Sequence, residues 1–571
     1  MKKILEYIKP LYLRMFIGFL IKLVGTVMDL AIPWILAHMI DEVVPTENRG
    51  AIFLWGIVMA VCAVIALLGN VIANRRASAV SRDATRRIRH DLYEKIEHLS
   101  AGQLDEITIP SLISRLTTDT YNVNQTLGRI QRLGVRAPIL LVGGIFVTML
   151  LDIRLSLVLL ATIPFLALGV VLISRRGITL YAGVQQNVDD MVRTVRDSVT
   201  GIRVIRALSK GDYECARFRK DSERLSNSQI HADTVMAATD PMMQLILNLG
   251  LTAVVVCGAY WVNQGVTKPG SIIAFLTYFT IILNAMMSVN KMFVMVSQAT
   301  ASANRIAEVL NLPEEKPEGE YPPSPCKAGV VFENVSFSYA KPANGYDLEH
   351  LSFQLKKGQM LGVIGATGSG KSTLIQLLQR FYPVDSGAIY IEGTNINAME
   401  EESLHSLFGV AFQSDAFFLG TVYDNIDIGR GLPREDIIRG ARCAQAEPFI
   451  LATKEGYDHP VHAKAANLSG GQKQRLLIAR ALAGKPQILI LDDSSSALDY
   501  QTDAAVRNAI RENYPDTTLI LVAQRVSSVR NADQILVLDE GRTVGLGTHE
   551  ELMENCPLYR QIAKIQTGGE A

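Results

Sequence analysis

The 571-residue sequence has only six cysteines, Cys62, Cys215, Cys257, Cys326, Cys443 and Cys556, and no C-x-x-C pair among them. That scatter excludes a disulfide framework and a thiolate zinc site, and is the pattern of independent reduced thiols. Net charge is also missing: 56 Lys and Arg balance 56 Asp and Glu, which argues against nucleic acid as a general partner. A cleavable leader is not expected, because residues 1–14 are amphipathic and basic and run directly into a long apolar segment. What the chain has in quantity is apolar residues, 49% of the total and concentrated in the first half. Its length exceeds what one core can organise, so two or three domains are expected.

Crossing a ~30 Å hydrocarbon layer takes ~17 to 25 apolar residues in a helix. Six such runs precede residue 300, near 16–40, 52–73, 134–151, 155–174, 242–262 and 271–289. One alone could be a buried soluble helix; six in series predict a membrane domain. Charge then sets orientation. Segment 75–132 carries ten Lys and Arg and segment 175–224 carries eleven, against one each in the turns at 41–51, 152–154 and 263–270. The positive-inside rule places both long loops and both termini in the cytoplasm of a multi-pass cell-membrane protein, with the helices continuing there as stalks. Lipid headgroups are expected partners for part of that basic charge.

Lys22 and Asp29 interrupt the first run and, at ~1.5 Å rise per residue, stand ~10 Å apart along a helix, too far for a simple pair. Lys22 is expected to snorkel to the cytoplasmic end. Asp29, deeper, is expected either to face a cargo cavity or to make a structural hydrogen bond. Thr277, Thr280, Asn284 and Ser288, with Gln244 and Asn248 on the preceding run, form polar stripes that either line a wet path or glue helices together. Met242, Met243, Met286, Met287, Met292 and Met295 nearby suggest an adaptable apolar wall.

Pro313, Pro317, Pro322, Pro323 and Pro325 among acidic residues mark 311–329 as an extended linker, separating a membrane domain at 1–310 from a soluble domain at 330–571. In the latter, 330–339 alternates like a strand, and short apolar runs at 360–364, 488–491 and 518–522 alternate with helical stretches, the mark of an α/β domain.

Residues 365–373 read G-A-T-G-S-G-K-S-T: Gly365, Ala366, Thr367, Gly368, Ser369, Gly370, Lys371, Ser372 and Thr373. This is a complete G-x-x-x-x-G-K-[ST] phosphate loop in its required strand-loop-helix setting. Glycines let the backbone wrap a polyphosphate while helix N-terminal N–H groups face its oxygens. Lys371 adds charge beside the terminal phosphates and Ser372 offers a hydroxyl to Mg²⁺. Further on, the apolar 488–491 run ends in Asp492, a carboxylate placed to hold that metal.

Between these two elements lies L-S-G-G-Q at 468–472, followed by K-Q-R-L-L-I-A-R-A-L. In that order the three motifs resemble those of a type I ABC exporter half-transporter, and the resemblance covers nearly the whole chain. It implies an all-α six-helix transmembrane domain followed by an α/β P-loop nucleotide-binding domain, ATP and Mg²⁺ as cofactors, and ATP-driven export. It further implies that Tyr339 stacks on adenine and that Gln413 contacts Mg²⁺ and the coupling helices. Residues 496–499 would form the loop that crosses to the other subunit. In such proteins two nucleotide domains meet head to tail, so Ser469, Gly470, Gly471 and Gln472 would grip the ATP held by a partner's phosphate loop. Coupling helices are implied near 100–110 and 212–218.

Three positions depart from the family pattern. Asp493 stands where the general base is normally glutamate, one methylene longer; a ~1 Å misplacement costs about a hundredfold in rate. Gln524 replaces the switch histidine and can donate to a phosphate but not carry a proton. Residues 462–466, H-A-K-A-A, lack the usual acidic residue. With every binding position retained, the expectation is a degenerate site that holds ATP and hydrolyses it slowly. The expected assembly is a heterodimer with a second half-transporter chain, as in bacterial multidrug exporters, moving drug-like or lipid-like hydrophobic cargo. An ATP-gated channel or regulatory subunit, and a homodimeric lipid or peptide exporter, are the alternatives.

Overall fold

The computed structural model describes residues 2–313, 329–339, 345–413, 416–494 and 497–566. Cys326, Ser496 and all of the expected linker except 311–313 and 329 lie outside these residues. The chain divides into two compact units.

The first unit, drawn from residues up to His98 and from Ile107 to Pro313, is helical. Its principal helices are α1 (Tyr12–His38) and α2 (Arg49–Glu97), then, beyond the short helix α3 (Ala101–Ile107), α4 (Val135–Leu151), α5 (Ile153–Thr200), α6 (Gly211–Ala237), α7 (Thr239–Asn263) and α8 (Pro269–Leu310). Among the described residues five helical runs, Lys3–Thr46, Arg49–Glu97, Ile109–Leu151, Gly211–Asn263 and Pro269–Val289, are long and apolar enough to cross a membrane, and Ile153–Leu166 is a shorter apolar one. At ~1.5 Å per residue, α2, α5 and α8 reach well beyond a hydrocarbon layer. Gly25 of α1 and Gly69 of α2 let those helices touch backbone to backbone: a Cβ on Gly69 would lie 3.1 Å from Gly25 Cα.

Of the two charges in the first run, Lys22 departs from its expectation, whereas Asp29 makes the structural hydrogen bonds that were one of its two alternatives. Lys22 does not snorkel; it is buried, and its Nζ donates to Asn74 Oδ1 at 3.1 Å. Asp29 Oδ2 accepts from Arg136 Nη2 at 3.0 Å and Asn70 Nδ2 at 3.2 Å, so the partner of Asp29 comes from α4. The hydroxyls of Thr277, Thr280 and Ser288 donate to the carbonyls of Ile273, Leu276 and Asn284 one turn back. Thr277, Thr280, Asn284, Gln244 and Asn248 are exposed in this chain, and their stripes therefore face outward from its packed helices.

The second unit joins Leu99–Glu106 to the α/β domain. Its strands are β1 (Val330–Phe337), β2 (Leu348–Leu355), β3 (Met360–Gly365), β4 (Ser386–Ile391), β5 (Thr394–Asn395), β6 (Phe408–Ala411), β7 (Gly420–Thr421), β8 (Pro460–Val461), β9 (Ile488–Asp492), β10 (Thr518–Val522), β11 (Gln534–Asp539) and β12 (Arg542–Gly547). An antiparallel sheet runs β2-β1-β4-β5, and a six-stranded sheet runs β12-β11-β3-β10-β9-β6, with β7 and β8 paired separately. In the larger sheet β11, β3, β10, β9 and β6 are parallel. β9 (I-L-I-L-D) and β10 (T-L-I-L-V) are buried at every position, as strands covered on both faces must be. One core cluster takes Leu489, Leu491 and Leu521; Ile488, Ile490 and Ile520 point into the other.

Candidate functional site

Four neighbouring parallel strands end at one edge of this sheet, the carboxyl edge where open α/β sheets bind ligands. Val522 of β10 is in register with Val363 of β3 and Asp492 of β9, and Ala411 of β6 with Leu491 of β9. The loop 365–373 follows β3, Asp493 follows β9, Gln524 follows β10 and Gln413 follows β6, so topology alone gathers residues spread over 160 positions of sequence.

The loop wraps because of its glycines. Gly368 and Gly370 have φ of +84° and +96°, and a Cβ on Gly365 would lie 2.2 Å from Leu538 O and 2.5 Å from Ser369 Oγ. Ala366, Thr367 and Gly368 are exposed at its rim. Helix α9 (Lys371–Leu378) starts at once, with Gly370 as a cap that supplies no side-chain acceptor, so its first N–H groups are open to an anion. Lys371 Nζ lies over the loop, donating to Gly365 O at 2.9 Å and Ala366 O at 2.6 Å. Burial pushes its ammonium pKa down, and the Asp492 and Asp493 carboxylates oppose that shift. Ser369 is 2% exposed, and its hydroxyl finds no hydrogen-bond partner among the described residues. A cradle that a Cβ would fill, open helix N–H groups, a lysine and an orphaned hydroxyl fit a polyphosphate.

Opposite the loop, Asp492 and Asp493 are each 8% exposed. Burial, with the neighbouring Asp493 charge adding to it, raises Asp492 above the usual carboxylate range; Lys371 and a hydrogen bond from Ser372 pull the other way. Asp493 takes a left-handed φ of +49° immediately after the end of β9. Its Oδ2 accepts from Gln524 Nε2 at 2.8 Å and Gln413 Nε2 at 3.1 Å. Burial raises Asp493 as well, against the hydrogen bonds from both glutamines and the charges of Lys371 and Arg525.

Tyr339 sits at the side of the loop. It is 49% exposed, its hydroxyl lies 3.2 Å from Thr373 Oγ1 and also bonds Gln376, and its ring meets Phe337 and Tyr382 edge-on at 4.9 and 5.1 Å. Residues 469–472 stand elsewhere: among the described residues none of them hydrogen-bonds the phosphate loop. Ser469 caps α10 (Gly470–Ala483), its Oγ accepting from Gln472 N at 3.3 Å while Gln472 Oε1 accepts from Ser469 N at 2.8 Å. Gly470 is exposed in the first turn, and a Cβ on Gly471 would press on Ala497 O at 3.2 Å, so this helix start abuts the loop that ends in Asp499. Asp499 caps α11 (Tyr500–Asn513). Asp105 lies within the 100–110 stretch expected as a coupling helix, and Tyr382, to which it is joined by a hydrogen bond of 2.5 Å, was not legible as a site residue; the signal for it is the aromatic pair Phe381-Tyr382 that follows the helix after the loop.

Two family models match, "ABC transporter transmembrane region" over residues 15–286 and "ABC transporter" over 348–496. The uncharacterized ABC transporter ATP-binding protein YfiB of Bacillus subtilis is 34% identical over 571 residues, covering 100% of this chain and 99% of that protein. This chain belongs to the ABC transporter family. A second relative from Bacillus subtilis, the putative multidrug export ATP-binding/permease protein YgaD, is 30% identical over 582 residues, covering 99% of both chains. A bacterial Atm1-family ABC exporter solved with ATP bound has the same fold, with a TM-score of 0.84 at 24% identity, covering 98% of this chain and 99% of that one. The ABC half-transporter thus has a helical transmembrane domain followed by an α/β nucleotide-binding domain, and its ATPase activity is coupled to transport.

Proposed function

We propose that this chain is one subunit of a heterodimeric ATP-driven exporter of drug-like or lipid-like cargo, and that its own ATP site serves for binding more than for hydrolysis. The observation that carries this reading is Asp493, one methylene shorter than glutamate, with one carboxylate oxygen engaged by both Gln524 and Gln413. A general base must reach the proton it takes, within ~3 Å of the attacking water. A short side chain drawn to two amides is poorly placed to do so, and Gln524 has no ionisable group to share a proton.

Binding, by contrast, has its full set of groups. The N–H groups of 366–373 and Lys371 hold the phosphates, and Tyr339 stacks on the base. Ser372, Gln413 and Asp492 would hold Mg²⁺, which when bound neutralises charge on the phosphate oxygens. Ser469, Gly470, Gly471 and Gln472 present a helix N-terminus to the nucleotide of the partner subunit, whose own base and switch residue complete a competent site. We place the transmembrane domain at 1–310, the linker at 311–329 and the nucleotide-binding domain at 330–571, with the basic segments 75–132 and 175–224, both termini and the nucleotide-binding domain on the cytoplasmic side. The likeness to YgaD, a putative multidrug export protein, supports hydrophobic cargo, as do the methionine-rich spans.

The test is purification of the chain alone and with whatever chain accompanies it. Weak Mg-ATPase alone and strong activity in a two-chain complex is the expected outcome; vigorous hydrolysis by the single chain sinks the reading.

A further inference from the structure

Tyr382 lies outside the phosphate loop, at the meeting point of two elements far apart in sequence. On one side its ring stands edge-on to Tyr339, centroids 5.1 Å apart at 88°. On the other its hydroxyl donates to the Asp105 carboxylate at 2.5 Å. Asp105 lies in α3, the short helix in the loop that joins α2 to the following helices. We propose that Tyr382 is a positioning residue that ties Tyr339 to α3, so that a nucleotide base seated on Tyr339 orders the 101–107 helix. This rests on the reading of Tyr339 as the base-stacking residue.

The arrangement suits a relay because each contact in it is directional. Edge-to-face aromatic pairs hold a preferred angle, so turning one ring disturbs the other. Phe337 backs both rings, 4.9 Å from Tyr339 and 5.6 Å from Tyr382, and removes the slack on the strand side. The Tyr339 hydroxyl is braced by Thr373 and Gln376 of α9, the helix that opens at the phosphate loop. Tyr382 then passes its orientation on through a hydrogen bond to a charged acceptor, the stronger and shorter class of such bonds. Asp105 is exposed, and among the described residues this is its one side-chain hydrogen bond, whereas Gln103 in the same helix is buried. A base resting on Tyr339 therefore restrains a ring whose partner holds α3.

Hydrogen–deuterium exchange of the 101–107 amides, in the assembled transporter in lipid nanodiscs with and without Mg-ATP, tests this. In the wild type ATP should slow exchange there, and unchanged exchange on adding ATP overturns the proposal. Tyr382→Phe keeps the ring and removes the hydroxyl; it should leave trinitrophenyl-ATP affinity within about twofold and cut the ATP-induced protection to about half or less. Asp105→Leu should do the same, Asp105→Asn, which keeps an acceptor, should restore most of the protection, and the pair Tyr382→Phe with Asp105→Leu should be no worse than either single change. Unchanged protection in Tyr382→Phe, or equal loss of protection with and without nucleotide, overturns the relay. A loss of nucleotide affinity of about tenfold or more in Tyr382→Phe also overturns it, since the hydroxyl would then be holding the site itself. Tyr339→Ala with unchanged affinity for ATP defeats the base-stacking reading, and the relay with it; a relay failure beside an affinity loss in Tyr339→Ala leaves that reading standing.

Discussion

Gln524 Nε2 donates to Asp493 Oδ2 at 2.8 Å, and Gln413 Nε2 reaches the same oxygen at 3.1 Å. The two catalytic-position substitutions are thus one physical unit. Restoring only the length of the carboxylate leaves it facing the same amide donor, and restoring only the imidazole leaves it a short partner. Asp493→Glu should therefore raise single-turnover hydrolysis at this site modestly. Asp493→Glu with Gln524→His should exceed the product of the single effects, by the ~5- to 30-fold that a coupling of ~1–2 kcal/mol between contacting residues gives. Purely multiplicative rates, measured in the two-chain complex with the partner site silenced, would show that the residues act independently.

The phosphate loop separates folding from binding in a way two substitutions can expose. Gly365→Ala forces a methyl to within 2.2 Å of Leu538 O, a backbone atom on β11 that has no rotamer to change. Overpacking of that kind costs ~1–3 kcal/mol, so this variant should melt several degrees lower even without nucleotide. Lys371 is half-buried and, among the described residues, bonds only carbonyls of its own loop. Lys371→Ala should melt near the wild type and lose the stabilisation that ATP confers, read as the shift in Tm on adding Mg-ATP.

How legible this was depended on whether a residue's role is local. The loop 365–373 carries its own geometry in its glycines and lysine, and the strand pattern I-L-I-L-D at 488–492 states both its burial and its terminal carboxylate. Helical runs of the membrane domain follow from apolar length. Pairings between distant elements are another matter. Nothing in the sequence links Asp29 to Arg136, 107 positions on, or Asp105 to Tyr382, 277 on, because such contacts depend on how helices and loops pack rather than on any local period. Lys22 read as a snorkelling residue for the same reason: Asn74, its acceptor, belongs to another helix.

Asp492 gives a prediction about pH. Its folded-state pKa lies above the ordinary carboxylate value, chiefly through burial and then through Asp493. Between the unfolded and folded pKa values the native state holds more protons than the unfolded one, so stability falls as pH rises through that window and returns as pH falls. At neutral pH, without nucleotide, Asp492→Asn should thus melt higher than the wild type, and the gap should close as pH is lowered toward the carboxylate range. A variant that melts lower at neutral pH would mean that the charge is well compensated, contrary to this account.

The buried carboxylate of Asp119 poses the last test, one of asymmetry. Asp119 has no exposed side-chain surface and accepts from both Nε and Nη2 of Arg305 in α8, the Nε bond being 2.8 Å, while half of the Arg305 side chain remains in contact with solvent. Arg115 extends the network, bonding Arg305 O at 3.0 Å and Glu308 at 2.9 Å. Removing one partner of an ion pair is costly when the survivor is left buried and unpaired, at ~3–5 kcal/mol. Arg305→Ala strands Asp119 in that way. Asp119→Ala leaves an arginine that can swing its head into water, so the loss should be nearer the ~1–2 kcal/mol of a partly exposed hydrogen bond to a charged group. In melts of the full chain in detergent, Arg305→Ala should accordingly be the more damaging of the two, and Arg305→Lys, which keeps the charge but only one point of attachment, should fall between them. Equal losses from the two alanine variants would show that Asp119 finds another cation or water, and that the pair is not what holds α8 to the 115–119 turn.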